Sequence, residues 1–293
     1  MMKTFLKKAY GVMPLKKEVF SLLKTVWHPN EDTYRHLHFH GVFKVKVDNT
    51  SSFKIRHYGF FVENEIFWEG LENGHEAISY SLWIKSVKDS KVILDIGANT
   101  GVFSLIAKSL NPSAKVYAFE PVKRVFEKLE ANNKLNNFDI ICLEEAASNF
   151  DGEATIYDTN AEHTYSVTVN KNTLSSDANV VETTIKTIRL DTFIEKKGLT
   201  NIDLMKIDVE THEPEVLEGM GKYLAKFKPS ILIEILDDSV GERVEKLVAD
   251  CGYLYFNIDD KAKKVRQVEK ITKSDFWNYF LCSPEKAKEL KLI

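Results

Sequence analysis

From Lys91 onward the chain alternates two textures. Short apolar runs at 92–96, 116–119, 140–143, 204–207 and 231–235 recur between segments whose apolar positions return at helical spacing. Strands buried on both faces read as such runs, and the helical segments are long enough to cross over between them, so the rhythm predicts a parallel sheet covered by helices. The first helical segment carries Val102, Phe103, Leu105, Ile106 and Leu110 on its apolar side, and the second carries Val122, Val125, Phe126 and Leu129. Each is expected to cover a face of the sheet.

The flanks read differently. Residues 1–80 predict one helix over 14–26. The alternating segments Phe43-Lys44-Val45-Lys46-Val47 and Phe53-Lys54-Ile55-Arg56 follow, with the period-two pattern of half-buried antiparallel strands. We read them as an N-terminal α+β extension ahead of a main domain over 81–293. Between about 148 and 200 the rhythm breaks into β-rich pieces at 154–157, 166–169 and 184–190, an inserted hairpin expected to project from the sheet. Two last strands, 253–258 and 276–282, are expected to be joined by a charged turn through Asp259, Asp260, Lys261 and Lys263, placing an antiparallel strand at or near the sheet edge.

Composition changes this picture only by exclusion. A length of 293 residues with 44% hydrophobic and 28% charged positions fits a folded globular chain and rules out fibrous or disordered classes. The 40 basic and 43 acidic residues leave a net charge of -3, so no nucleic acid partner is expected. Cys142, Cys251 and Cys282 are far apart and odd in number, which points to reduced thiols and a cytoplasmic setting. No apolar run approaches the roughly 18–20 residues of a transmembrane segment, and the lysines scattered through the first 20 residues leave no secretory core.

Three segments carry chemistry. The first, LDIGANTGVF at 94–103, reads as strand, tight turn and helix start, with small residues that let a ligand approach the backbone. Its G-x-x-x-G spacing differs from the G-x-G-x-x-G of nicotinamide enzymes, and Asn99 tolerates the left-handed conformation where a middle glycine often sits. The second is Glu120 with Pro121, ending the next strand, where a carboxylate can accept hydrogen bonds from both ribose hydroxyls of a nucleoside. The third, 203–219, gathers Asp208, Glu210, His212, Glu213 and Glu215 after a buried strand, with Thr211 as the expected N-cap of the following helix. Asp208, Glu210 and His212 are expected to face the crevice, whereas Glu213 and Glu215 divide evenly between function and dipole capping. Glu234 interrupts the run 231–235, where an unpaired charge is costly, and is expected to face the pocket or a partner.

Together these segments resemble the FkbM family of S-adenosylmethionine-dependent methyltransferases over roughly 63–284, with LDIGANTGVFS, AFEP and the Lys206–Glu213 stretch carrying the resemblance. Thr211 and His212 depart from it, standing where glycine and a small residue are commoner. The resemblance implies a Rossmann-like class I methyltransferase fold, a seven-stranded, mostly parallel sheet with one antiparallel strand. It implies S-adenosylmethionine as cofactor and a hydroxyl oxygen of a small-molecule, sugar or natural-product acceptor as target. Asp95, Gly97, Ala98, Asn99 and Gly101 would surround the methionine portion, Glu120 with Pro121 the ribose, and the turn at Glu145 and Ala146 the adenine.

Methyl transfer is an in-line displacement in which alignment does most of the work, and a nearby base assists an alcohol that must shed its proton. Asp208 and His212 are the candidate bases, with Glu210 and Glu234 as acceptor orienters or alternates. Other readings compete. A metal-assisted O-methyltransferase would hold Mg²⁺ between Asp208 and Glu234; a non-catalytic scaffold would bind the cofactor without transfer; the glycine spacing disfavours a nicotinamide dehydrogenase. His36, His38 and His40 would share one face of a strand, a spacing compatible with a metal but read first as a solvated or contact face. Aromatics in 64–70, near His75 and Glu76, read as core before lid. His163, Thr164, Tyr165 and Ser166 could hold a sugar or be a bland hairpin tip.

Overall fold

The computed structural model describes residues 15–159, 167–168 and 180–293. Ahead of the main sheet stand α1 (Lys16–Leu23), α2 (Glu31–Tyr34), the antiparallel pair β1 (Gly41–Lys46) and β2 (Ser52–His57), α3 (Phe61–Glu69) and α4 (Ala77–Val87). Then come β3 (Val92–Ile96), α5 (Val102–Leu110), β4 (Lys115–Phe119), α6 (Lys123–Asn136) and β5 (Ile141–Leu143). An inserted sheet follows, made of β6 (Ala146–Ser148), β7 (Gly152–Thr159), β8 (Val167–Thr168) and β9 (Val180–Arg189), in which β7 and β9 pair antiparallel. The chain returns through α7 (Leu190–Lys197), β10 (Leu204–Ile207), α8 (Glu213–Met220), α9 (Lys222–Phe227), β11 (Ser230–Glu234) and α10 (Asp238–Val248). It ends with β12 (Leu254–Asp259), β13 (Lys264–Val268), β14 (Asn278–Cys282) and α11 (Pro284–Glu289).

The main sheet runs β13-β12-β14-β11-β10-β3-β4-β5. Its centre is parallel, and β14 is inserted antiparallel to both β11 and β12. This is the doubly wound, Rossmann-like architecture expected from the rhythm, with one addition. The charged turn after Asp259 leads not to β14 but to β13, which pairs antiparallel with β12 as an eighth strand at the edge. Lys264 and Gln267 of β13 are exposed, so the strand has no buried face to give it an apolar signature, and charged positions of that kind also protect a free edge.

Strand register sorts side chains between two cores. Ile93, Val116, Leu204 and Leu232 point to the face covered by the N-terminal elements, α4 and α5, whereas Leu94, Tyr117, Met205 and Ile231 point to the face covered by α7, α8 and α10. The N-terminal elements share the first core: Phe20, Phe39, Phe43, Phe53 and Phe67 join the same cluster as Ile93 and Leu105. Residues 37–40 are irregular rather than a strand, because the extended pairing of β1 starts only at Gly41, so the three histidines do not form one strand face.

Chain order creates the crevice. From β3 the chain moves outward through β4 to β5, then returns on the other side of β3 at β10 and moves outward to β11. Loops leaving the carboxyl ends of β3 and β10 therefore part from one another, and a doubly wound sheet opens there. Among the described residues, no helix is long and apolar enough to cross a membrane.

Candidate functional site

The loop after β3 is pressed against the loop after β10. Gly97 has φ +73°, and a Cβ placed on it would stand 1.8 Å from the backbone oxygen of Asp208, so only glycine fits. Asn99 adopts the left-handed conformation expected of it, with φ 52°, and its Oδ1 accepts from the Thr100 N–H at 2.8 Å. Glu120 ties this loop to the end of β4: Oε2 accepts from the Asn99 N–H and Oε1 from the Val122 N–H, both at 3.0 Å. Burial pushes the Glu120 carboxyl up to about 7, against the pull of these two hydrogen bonds. Each carboxylate oxygen can accept more than one bond, so the side chain that shapes the loop retains acceptor capacity for a ligand.

A cation sits under the acidic turn. Lys206 lies beside Asp95 in the β10–β3 register and donates to Asp208 Oδ2 at 2.8 Å and to the Gly97 carbonyl at 3.1 Å. Burial pulls its ammonium down, but Asp208, Asp95 and Glu76 together outweigh it and hold the charge above the ordinary lysine range. Burial, then the charges of Asp208, Glu210 and Glu213, push Glu234 up to about 9, which favours the protonated form that can donate a hydrogen bond.

The expected cap of α8 is corrected. Glu210 and Thr211 have φ 54° and 77°, which removes Thr211 from the extended conformation an N-cap adopts. The N-cap position falls to His212, whose side chain makes no cap bond, and Glu213 at the first helical position braces the turn instead: Oε1 accepts from the N–H groups of Val209 and Thr211, both at 3.2 Å. Burial pushes Glu213 up to about 7, and the residue holds the turn in shape. His212 Nε2 lies 3.0 Å from Ser148 Oγ in a hydrogen bond, while Nδ1 faces the Glu215 carboxylate at 3.6 Å without bonding to it. Burial lowers its pKa, which favours the neutral ring, and the one hydrogen bond it makes is the Ser148 contact at Nε2.

These features line one cavity of about 410 Å³, within the range usual for small-molecule sites. Of the residues singled out in the sequence, Gly97, Ala98, Asn99, Glu120, Pro121, Glu145, Ala146, Asp208, Glu210, His212 and Glu234 lie on its wall. Asp95 and Gly101 do not. Asp95 is fully buried and spends Oδ2 on the Ser104 N–H at 3.0 Å and hydroxyl at 2.6 Å, tying β3 to α5, while Gly101 faces Leu129.

The structure adds wall residues to which the sequence reading gave no site role: Lys206, Phe103, Tyr80, and His75 with Glu76 from the segment before α4. Ile66, Phe67 and Trp68 are core, the reading placed ahead of a lid for the aromatics of this stretch. His163, Thr164, Tyr165 and Ser166 lie outside the described residues. Among the described residues, no three His, Cys, Asp or Glu side chains converge as metal ligands.

The family model described as the methyltransferase FkbM domain matches residues 95–255. Methyltransferase sdnD of Sordaria araneosa is 27% identical over 197 residues, which cover 58% of this chain and 76% of that protein. Hexuronic acid methyltransferase AglP of Haloferax volcanii is 28% identical over 169 residues, 58% of this chain and 66% of that protein. The 2-O-methyltransferase NoeI of Sinorhizobium fredii is 29% identical over 178 residues, 55% of this chain and 70% of that protein.

Proposed function

The chain belongs to the FkbM family of methyltransferases, and from that premise we propose that it moves a methyl group from S-adenosylmethionine to a hydroxyl oxygen of a sugar or natural-product acceptor. The observation that carries this reading is the meeting of the Gly97–Thr100 loop, the Glu120 carboxylate and the acidic turn at Asp208 around one cavity. The relatives named above include one acting on a hexuronic acid and one a 2-O-methyltransferase, which favours a sugar oxygen. Free thiols at Cys142, Cys251 and Cys282 are in keeping with a cytoplasmic setting.

The residues fit the cofactor. The cradle that a Cβ on Gly97 would fill, the buried Glu120 carboxyl, and the buried Thr100 hydroxyl with no partner together give acceptors, a donor and close backbone approach. Glu120 would hold the ribose, Glu145 and Ala146 the adenine side, and the backbone from Gly97 to Asn99 the part nearest the sulfur. When bound, the cofactor supplies a methyl group activated by a positive sulfur. The chain's own part is alignment and proton handling. Asp208 gives one carboxylate oxygen to Lys206, which leaves the other for the acceptor's proton. Glu234 donates to the acceptor and fixes its approach, with Glu210 beside it on the wall, and His212 keeps the turn in register.

Calorimetry with S-adenosylmethionine, followed by transfer of labelled methyl to a panel of hydroxyl compounds, tests the assignment. Binding with no transfer to any hydroxyl would favour a scaffold, and binding of NADH in its place would overturn the reading. The Glu120 carboxyl gives a sharper check. Its ionised form accepts the ribose hydroxyls, so affinity is expected to fall by up to about tenfold per pH unit as pH drops below about 7. Glu120→Gln is expected to weaken binding about 10- to 100-fold and to flatten that slope. A slope unchanged in the variant would move the ribose elsewhere. Because Lys206 already supplies positive charge beside Asp208, turnover is expected to survive EDTA treatment. Loss restored by Mg²⁺ would instead favour metal assistance.

A further inference from the structure

The wall segment before α4 places a histidine held by a buried carboxylate next to a second acid, Glu76, whose carboxyl burial pushes up against the charges of His75 and Lys206. His75 Nδ1 lies 2.5 Å from Oε2 of Glu65, a carboxylate that is itself buried in α3. Glu65 Oε1 also accepts from the His75 N–H at 3.2 Å and from the Tyr34 hydroxyl at 3.3 Å, so the ring is held from the back. Burial works against charge on His75, but the bond to Glu65 and its negative charge outweigh that and push the ring up to about 9. Its Nε2 makes no hydrogen bond among the described residues, and the side chain is half-exposed. The next residue, Glu76, accepts the Tyr80 hydroxyl on Oε2 at 2.7 Å and keeps its other oxygen for the cavity.

Sheet order fixes where this pair lies. The Ile78 N–H donates to Asp260 at 2.6 Å, at the carboxyl end of β12, and α4 packs on β11 and β12. Glu120 and Glu145 follow β4 and β5, on the other flank of β3. A nucleoside held by its ribose at Glu120 therefore extends whatever it carries across the end of β3 toward His75 and Glu76. We propose that His75 and Glu76 form the receptor for the α-amino acid end of the cofactor, with the carboxylate on His75 Nε2 and the ammonium on Glu76 Oε1. A vicinal base and acid match a zwitterion's carboxylate and ammonium, whereas a neutral sugar ring has neither charge to offer them. The inference rests on the S-adenosylmethionine reading above and adds the specificity for its amino acid end.

Methylthioadenosine keeps the nucleoside but lacks both the amino acid and the sulfonium charge, so calorimetry on it, on S-adenosylmethionine and on S-adenosylhomocysteine, which has the amino acid with an uncharged sulfur, isolates this contact. His75→Gln is expected to weaken S-adenosylmethionine and S-adenosylhomocysteine about 10- to 100-fold and to leave methylthioadenosine within about twofold. Glu76→Gln is expected to lower the same ratios of affinities. Retained methylthioadenosine binding also shows that each variant is folded. Equal losses for all three ligands, or no loss for any in both variants, would overturn the assignment. Wild-type protein that binds none of the three would overturn the cofactor reading itself, a result separable from failure of the amino acid receptor alone.

Discussion

Gly97→Ala is expected to destroy the cofactor site and to lower thermal stability by about 10 °C or more. Two costs add at this position. The backbone has φ +73°, which strains any L side chain by about 1–2 kcal/mol. The larger cost is contact: the new Cβ would meet the backbone oxygen of Asp208 at 1.8 Å, and neither loop can retreat. Gly97 is bonded through its carbonyl to Lys206 and through its N–H to Phe119 at 3.0 Å, while the Asp208 N–H is bonded to Ile96 at 3.1 Å. Severe cases of this kind exceed about 4 kcal/mol, and each kcal/mol shifts the midpoint by about 2–4 °C in a chain of this size class. Gly198→Ala is the control. Gly198 has φ +61° with nothing within 4 Å of an added Cβ, so it carries the conformational cost alone. Calorimetric melting of both variants measures the difference. Similar melting points would show that the two loops are not locked together at Gly97.

The core of the fold and the middle of the site were legible because strands buried on both faces leave contiguous apolar runs, and their carboxyl ends are where a doubly wound sheet presents ligands. That logic led directly to Gly97, Glu120 and Asp208. It failed wherever a contact is made by tertiary packing. His75 and Glu76 reach the wall because the N-terminal elements fold onto the sheet's own core, and nothing in the local pattern announces that return. Lys206 was read only as part of the strand at 204–207, although a lysine inside an apolar strand raises the same question as Glu234 in 231–235: what pairs the buried charge. The answer is first Asp208, which accepts from the ammonium at 2.8 Å, and then the charge of Asp95 on the neighbouring strand, a placement that depends on register. β13 escaped because an edge strand with its charges in water has no apolar alternation to detect. Thr211 was assigned a cap by residue type, and the left-handed backbone that disqualifies it is a property of the packed turn.

Asp208→Asn is expected to lower kcat by about 10²- to 10⁴-fold, the usual contribution of a positioned base, while changing S-adenosylmethionine affinity by no more than about threefold. The amide oxygen can still accept from Lys206, and Lys206 keeps the charges of Asp95 and Glu76 nearby, so the β10 end should hold its shape. What the amide lacks is proton affinity. The other candidates predict different patterns. His212→Asn removes a ring whose Nε2 is bonded to Ser148 and whose Nδ1 faces the Glu215 carboxylate, so turnover is expected to fall less than about tenfold, through disorder of the turn. Glu234→Gln substitutes one neutral donor for another below pH 9, so its effect near pH 7 is expected to be smaller still. Single-turnover rates at saturating cofactor, measured with a hydroxyl acceptor found in the screen, rank the three. If Asp208→Asn retained wild-type kcat while His212→Asn lost it, the proton would leave through the imidazole, and the Ser148 bond would have to break during turnover to free Nε2.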